Sequence, residues 1–121
     1  MHNPNGTLVV RPFLSVTILE HALEIAMLAR PLVEAIQRKD RDLASQVRRA
    51  INSVALNAAE AQGNAGGNTR MRLESALGSV YEARTGIRLA IAWGYFSLAT
   101  ADEVLTSLHR LGGRVFGALR K

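Results

Sequence analysis

Few side chains in this chain stand at spacings that could do chemistry, and each candidate fails on a specific count. His2, His21 and His109 are scattered, with no His-x-x-x-His pair and no Glu-x-x-His repeat of the kind that holds a di-iron centre in a helical bundle. There is no Cys, which removes thiolate metal sites and disulfides together. Ser53 and Ser79 have no His or Lys at a spacing that would activate a hydroxyl nucleophile. Glu60 and Glu82 could be imagined as an acid and a base, but each has Arg nearby on its own or the neighbouring helix, which reads as structural pairing. His21, between Glu20 and Glu24, reads as a surface imidazole. The glycine-rich stretch Gly63–Asn68 lacks a Gly-Lys-Ser/Thr ending and follows no strand, so it does not read as a phosphate-cradling loop. The expectation is a protein that is not an enzyme, with no metal, no cofactor and no small-molecule substrate.

What remains is polar order rather than reactivity. Gln46, Arg49, Ser53, Asn57 and Glu60 recur at three- and four-residue steps. On the same helix Leu43, Val47, Ala50, Val54, Ala58 and Ala61 form an apolar stripe, rotated from the polar one by a quarter turn or more at about 100° per residue. A merely solvated face more often carries Lys and Glu, so this order points to polar groups meeting another helix. Three readings are open: a lattice fixing helix register within a bundle or across a subunit seam, a nucleic-acid contact surface, or a small-ligand site. The lattice reading leads, and it draws in Ser79 and Glu82 on the following helix. Arg70, Tyr81, Arg84 and Arg88 line up on that third helix, interrupted by Glu74, and Arg110, Arg114 and Lys121 stand on the polar side of a fourth. Arg48, Arg70, Arg84, Arg88, Arg110 and Arg114 are the candidate phosphate contacts. A solvated face with i,i+4 charge pairs is the competing reading of each stripe. Sparse aromatics argue against a base-stacking platform.

The elements that must position these residues are helices. Thr17 with Glu20 has the form of a capping box opening a first helix around Ser15–Gln37, with Ile18, Ala22, Ile25, Ala26, Ala29, Val33 and Ile36 inward. Pro31 falls on its outer side, where a missing backbone bond favours a bend. Arg38-Lys39-Asp40 connects to a second helix from Arg41 to Gln62. The third spans about Thr69–Trp93, with Leu73, Ala76, Leu77, Val80, Ala83, Ile87, Ala90 and Ile91 inward. Thr100 with Glu103 predicts a second capping box opening a fourth helix, where Val104, Leu108, Leu111, Val115 and Ala118 face the core. Only Thr7–Val10 alternates weakly enough like a strand to mention. Four helices of similar length predict an all-α, up-down-up-down antiparallel four-helix bundle. Pairing across a turn near residue 65 then places Arg49 near Glu82 as a partly buried ion pair, and Ser53 near Gly78 or Ser79. Gly78 is expected to allow close backbone approach.

At 121 residues one domain is expected: a lead-in over 1–14 and a bundle over 15–121. The start Met1–Gly6 has no basic and apolar regions of a signal peptide, and the longest uncharged run, Leu89–Ala101, is too short to span a bilayer. A soluble, cytoplasmic protein is expected, with no membrane partner. The net charge is +5, and 13 of the 15 basic residues are Arg. Arg suits bidentate phosphate contact, although a GC-rich genome would favour Arg codons with no functional cause.

The segment Gln46-Val47-Arg48-Arg49-Ala50…Ser53…Asn57…Ala59-Glu60, followed by Ala76-Leu77-Gly78-Ser79…Glu82 and Leu89-Ala90…Gly94-Tyr95-Phe96, resembles the four-helix-bundle family of 23S rRNA intervening-sequence proteins. That family also includes accessory proteins of diversity-generating retroelements. The pieces stand in the family's order and cover roughly residues 15–115. Ala61 follows Glu60 where the family usually has Gly, which moves the expected helix end to Gly63. The resemblance implies a basic homopentamer, with RNA, DNA or a reverse-transcriptase-type protein as partner. From the residues alone, Ala55 and Ala59 beside Leu56 and Asn52 suggest a homo-oligomeric contact without a copy number. The functional expectation is a homo-oligomer that binds nucleic acid or a nucleoprotein through Arg-rich surfaces. The alternative is a structural or adaptor module that binds another protein and whose charge is incidental.

Overall fold

A computed structural model describes residues 17–63 and 67–121. Four helices follow one another: α1 Ile18–Lys39, α2 Arg41–Gly63, α3 Thr69–Ala92 and α4 Leu98–Leu119. No strand occurs among the described residues. The expected lead-in and the Thr7–Val10 segment lie outside them, as do Asn64, Ala65 and Gly66 of the connection between α2 and α3.

Local chemistry explains where each helix starts and stops. The Thr17 hydroxyl accepts the Glu20 N–H at 3.0 Å, and Glu20 returns the bond by accepting the Thr17 N–H at 3.1 Å. That is the expected capping box, and it satisfies two donors no helix can satisfy internally. Asp40 is the only residue between α1 and α2, and it serves both. Its backbone N–H donates to Ile36 O at 2.7 Å to end α1, while its Oδ1 accepts the Leu43 N–H at 2.9 Å to open α2. Its other carboxylate oxygen accepts the Tyr95 phenol at 3.0 Å, which ties the α1–α2 corner to the α3–α4 corner. Tyr95 is held protonated above its ordinary range, first by desolvation and then by that bond and the Asp40 charge. α2 is helical as far as Gly63, the last residue described before the connection.

α3 closes with Gly94 at φ +80, its N–H on Ile91 O and the Tyr95 N–H on Ala90 O. Glycine is needed there because the left-handed region costs other L-residues about 1–2 kcal/mol. The start of α4 differs from expectation. Ser97 is the cap, its hydroxyl accepting the Thr100 N–H at 3.2 Å, and Thr100 already lies inside the helix. Ser97 opens the helix one turn earlier by capping the Thr100 N–H, which places the Thr-x-x-Glu match at Thr100 inside the helix, where no cap is needed.

The helices form a ring in which each packs on its sequence neighbour and α4 returns to α1. Contacts run in opposite numerical order across α2–α3 (Ser53 with Ser79, Glu60 with Arg72) and across α3–α4 (Val80 beside Gly112, Arg70 with Leu119). Neighbours are therefore antiparallel, in the expected up-down-up-down order. Ile25, Ile36, Val47, Val54, Val80, Ile87, Leu108, Leu111 and Val115 fill the centre. Leu32 belongs to it as well, whereas Ile18, Ala26 and Val33, expected inside, sit at its margin. Pro31 is exposed and α1 continues through it.

The glycine that permits close approach is Gly86, not Gly78. A Cβ on Gly86 would lie 2.5 Å from Val47 Cγ2, whereas one on Gly78 would meet nothing within 4 Å. Valine has no flexible end to move aside, so α2 and α3 can approach this closely only over a glycine. Gly86→Ala should therefore lower stability by about 1–2 kcal/mol, overpacking outweighing the better helix propensity of alanine. Gly78→Ala should raise stability by up to about 1 kcal/mol. Denaturant titration at fixed protein concentration checks both, and a Gly86→Ala/Val47→Ala pair should cost less than the two single changes added.

Candidate interaction faces and the buried histidine

The polar stripe of α2 meets α3 at its centre and again at its Glu60 end. The Ser79 hydroxyl bonds the Ser53 hydroxyl at 2.8 Å, which takes the second of the two expected neighbours, Gly78 or Ser79, and Asn57 Nδ2 donates to Ser53 O and Oγ at 2.9 and 3.0 Å. Ser79 is buried, so leaving its hydroxyl unpartnered would cost about 1–3 kcal/mol. Gln46 donates instead to Asp42 on its own helix at 3.2 Å. The expected Arg49–Glu82 ion pair is not formed: both side chains are exposed on the rim of one groove. Glu60 lies 3.9 Å from Arg72, a half-buried residue outside the expected lattice. Glu60 and Arg72 stand nearly equidistant from the α2–α3 turn, and that spacing was the available signal.

Over this seam runs a groove of about 590 Å³ between Gln46, Arg49 and Ser53 on one side and Tyr81, Glu82 and Leu89 on the other. A shallower depression of about 270 Å³ shares Arg49 and Ser53 and continues toward Leu56 and Arg72. Tyr81, Leu89 and Leu56 are 51%, 44% and 66% exposed, so the walls of the two depressions carry apolar surface open to solvent.

The six candidate arginines divide by engagement. Arg70 donates to Leu119 O at 2.8 Å and lies 3.7 Å from Glu74, so it neutralises the carbonyl end of α4. Arg48, Arg88 and Arg110 are exposed and Arg84 is half-buried, and none of the four has an ion pair among the described residues. The Arg84 Nε is buried with no hydrogen-bond partner. Arg114 is half-buried and turned toward α1.

Arg114 leads to the largest correction. His21, expected at the surface, is 6% exposed in the seam between α1 and α4. Its Nδ1 lies 3.1 Å from Arg114 Nη1 and its Nε2 lies 2.9 Å from Ser107 Oγ. A guanidinium has only donors, so Nδ1 accepts and the ring proton sits on Nε2, which donates to Ser107. A Ser–His contact of this length resembles a nucleophile and its base, but the tautomer is the wrong one. Nε2 already carries its proton and cannot take another from Ser107. The sequence held the signal: His21 stands four residues before Ile25 and eleven before Leu32, on the buried stripe itself.

No group of His, Cys, Asp and Glu residues able to hold a metal ion occurs among the described residues. No helix among them is long and apolar enough to cross a membrane. Residues 15–117 match the family described as 23S rRNA-intervening sequence protein. The chain belongs to that family. The chain shares its fold with a crystal structure of a protein of unknown function from the S23 ribosomal protein family of Bacteroides thetaiotaomicron. The TM-score is 0.79 at 16% identity, over 86% of this chain and 99% of the other. No curated protein matches the sequence.

Burial, then the charges of Arg114 and Arg110, hold the His21 pKa below its ordinary value. In the unfolded chain that value is near 6.5. As pH falls through 6.5 the unfolded chain therefore takes up a proton before the folded one does, and stability drops until the folded-state pKa is passed. Thermal melts should show a falling Tm from about pH 6.5 downward, and His21→Gln should lose that part of the slope.

Proposed function

We propose that this family member is a non-enzymatic homo-oligomer that binds RNA or DNA, with weak sequence preference, through phosphate contacts. One observation carries the reading: Arg48, Arg84, Arg88 and Arg110 have no carboxylate partner among the described residues, whereas Arg30, Arg70 and Arg72 each have one. Uncompensated guanidinium groups on a chain of net charge +5 suit an anionic partner. The family's description, which refers to 23S rRNA, supports RNA before DNA. Arg84, Arg88 and Arg110 are the leading contacts, Arg48 stands next, and Arg114, which already bonds His21, follows. Arg70 contributes less because α4 already engages it. The cytoplasm is the compartment this reading requires.

Self-association belongs to the same reading. The exposed apolar residues along the α2–α3 groove, with Arg49 and Glu82 of opposite sign on its rim, suit a second copy. Five copies are an expectation from the family resemblance. Repetition of modest arginine contacts around such an oligomer multiplies affinity wherever one nucleic acid spans several subunits. The same apolar surface favours the second reading, an adaptor whose partner is another protein, such as a reverse transcriptase.

Light scattering at micromolar concentration should give a mass several times the 13.1 kDa chain, and Leu56→Glu/Tyr81→Glu should reduce it toward one chain. A monomeric wild type rejects self-association. Binding of single-stranded RNA should weaken with salt, log affinity falling by about 0.7 per phosphate neutralised for each log unit of salt. Arg84→Glu/Arg88→Glu should stay folded and show a shallower slope. Identical slopes for both proteins favour the adaptor.

A further inference from the structure

The shallower depression beside the α2–α3 groove, about 270 Å³ in volume, is lined by two arginines, Arg49 of α2 and Arg72 of α3. The Arg49 side chain is exposed, with no hydrogen bond or ion pair among the described residues. Arg72 is half-buried, and its Nε–H is buried without a hydrogen-bond acceptor. The Glu60 carboxylate stands 3.9 Å from that nitrogen, near enough for an ion pair and too far for a hydrogen bond. A buried guanidinium N–H is seldom left this way. It is a donor held ready for an oxygen from outside the chain.

We propose that this depression binds a phosphate group between Arg49 and Arg72, and that an RNA strand carries the phosphate. The site rests on the phosphate-binding reading above for the source of its phosphate. Volume decides the size of the ligand: pockets for drug-sized molecules enclose roughly 300–1,000 Å³, so about 270 Å³ suits a single phosphate group. Charge decides its sign. Two guanidinium groups against the one Glu60 carboxylate leave a positive surplus on the lining. The Nε–H and one terminal N–H of an arginine lie parallel along one edge, the fork that meets two oxygens of a phosphate. Arg72 offers that edge, and Arg49 closes on the phosphate from the other helix.

The remaining polar groups of the lining fit this assignment. Ser53 and Asn57 are engaged with each other and with Ser79, so they hold the floor in shape. The Asn52 side chain is exposed and makes no hydrogen bond among the described residues, which leaves its amide as a further donor. Glu60 alone opposes an anion. Its side chain is 58% exposed, so it can turn to solvent as phosphate takes its place beside Arg72. The Arg84 Nε is also buried without a partner, but Arg84 lines neither depression.

The Arg72 Nε–H can be followed directly by nitrogen–proton NMR on the full chain, its signal assigned by its loss in Arg72→Gln. Titrations use inorganic phosphate, a single-stranded RNA oligonucleotide, and sodium chloride at matched ionic strength. Phosphate and RNA should each move the signal to saturation, and chloride should not. Arg49→Gln should weaken phosphate binding about tenfold, the loss of one charged hydrogen bond. Arg72→Lys keeps the charge without the forked edge and should weaken it about as much. Glu60→Gln removes the opposing charge and should tighten it about threefold. A purely structural Glu60–Arg72 pair gives no such gain. Arg49 and Glu60 are exposed, so these two variants should keep the helical signal in circular dichroism even if Arg72→Lys does not.

RNA that binds while the Arg72 signal stays put overturns the site and leaves the phosphate-binding reading on the other arginines. A shift with inorganic phosphate but no RNA binding keeps the site, with free phosphate as its ligand, and sinks the nucleic-acid reading. No shift with either ligand, or a shift that chloride reproduces, overturns the site. So does a phosphate affinity that Arg49→Gln and Glu60→Gln both leave unchanged. Arg49 also stands on the rim of the larger groove. If Arg49→Gln lowers the mass in light scattering while phosphate affinity holds, Arg49 is a subunit contact and the site is overturned.

Discussion

The contact of Val47 with Gly86 sets the distance between α2 and α3, and the rest of the bundle is arranged around it. With the helix backbones this close, side chains at the seam must be small or polar and short, and Ser53 and Ser79 meet that demand with a single hydroxyl–hydroxyl bond. Larger residues of the same stripe are displaced to the rim. Arg49 and Glu82 therefore face solvent across a groove, and Arg72 becomes the residue beside Glu60. The groove is thus a by-product of tight packing beneath it, and it leaves the apolar faces of Tyr81, Leu89 and Leu56 uncovered.

The two ends of the bundle are held differently. At the end where α1 meets α2 and α3 meets α4, one carboxylate does several jobs: Asp40 opens α2 and accepts the Tyr95 phenol from the other corner. A bond of this kind joins two otherwise independent turns, so either helix pair would have to give up a hydrogen bond to move. At the opposite end Arg70 of α3 supports the last carbonyls of α4, and Arg120 lies 5.7 Å from the Phe116 ring. Arginine here is partly a structural residue. The functional reading must therefore rest on those guanidinium groups that no carboxylate or carbonyl engages.

Among the described residues, the seam between α1 and α4 is the one place where the core admits a titratable group. His21 is neutral there because burial and two arginines both oppose its charge, and its neutrality is what lets Arg114 bond to it. Protonation would remove the lone pair that Arg114 uses. Packing, charge and hydrogen bonding at this seam therefore respond to one proton.

By itself the sequence determined the four helices, because apolar residues at three- and four-residue steps, Thr17 with Glu20, and the Gly-rich break after Gln62 are local signals that act within a turn or two. It also determined the family and placed Ser53 opposite Gly78 or Ser79, since antiparallel neighbours across a short connection have little freedom of register. Three matters were left to the tertiary structure. Glycine is equally small at positions 78 and 86, and only the azimuth of each on α3 decides which one meets Val47. An arginine's partner depends on which flexible side chains share its rim, so Arg70 on Leu119 and the separation of Arg49 from Glu82 could not be read from the residue types. His21 lies on a buried stripe flanked by two glutamates in sequence, but its real partners, Ser107 and Arg114, come from a helix more than 80 residues away. Local periodicity carries no information about such a contact, because only closure of α4 onto α1 creates it.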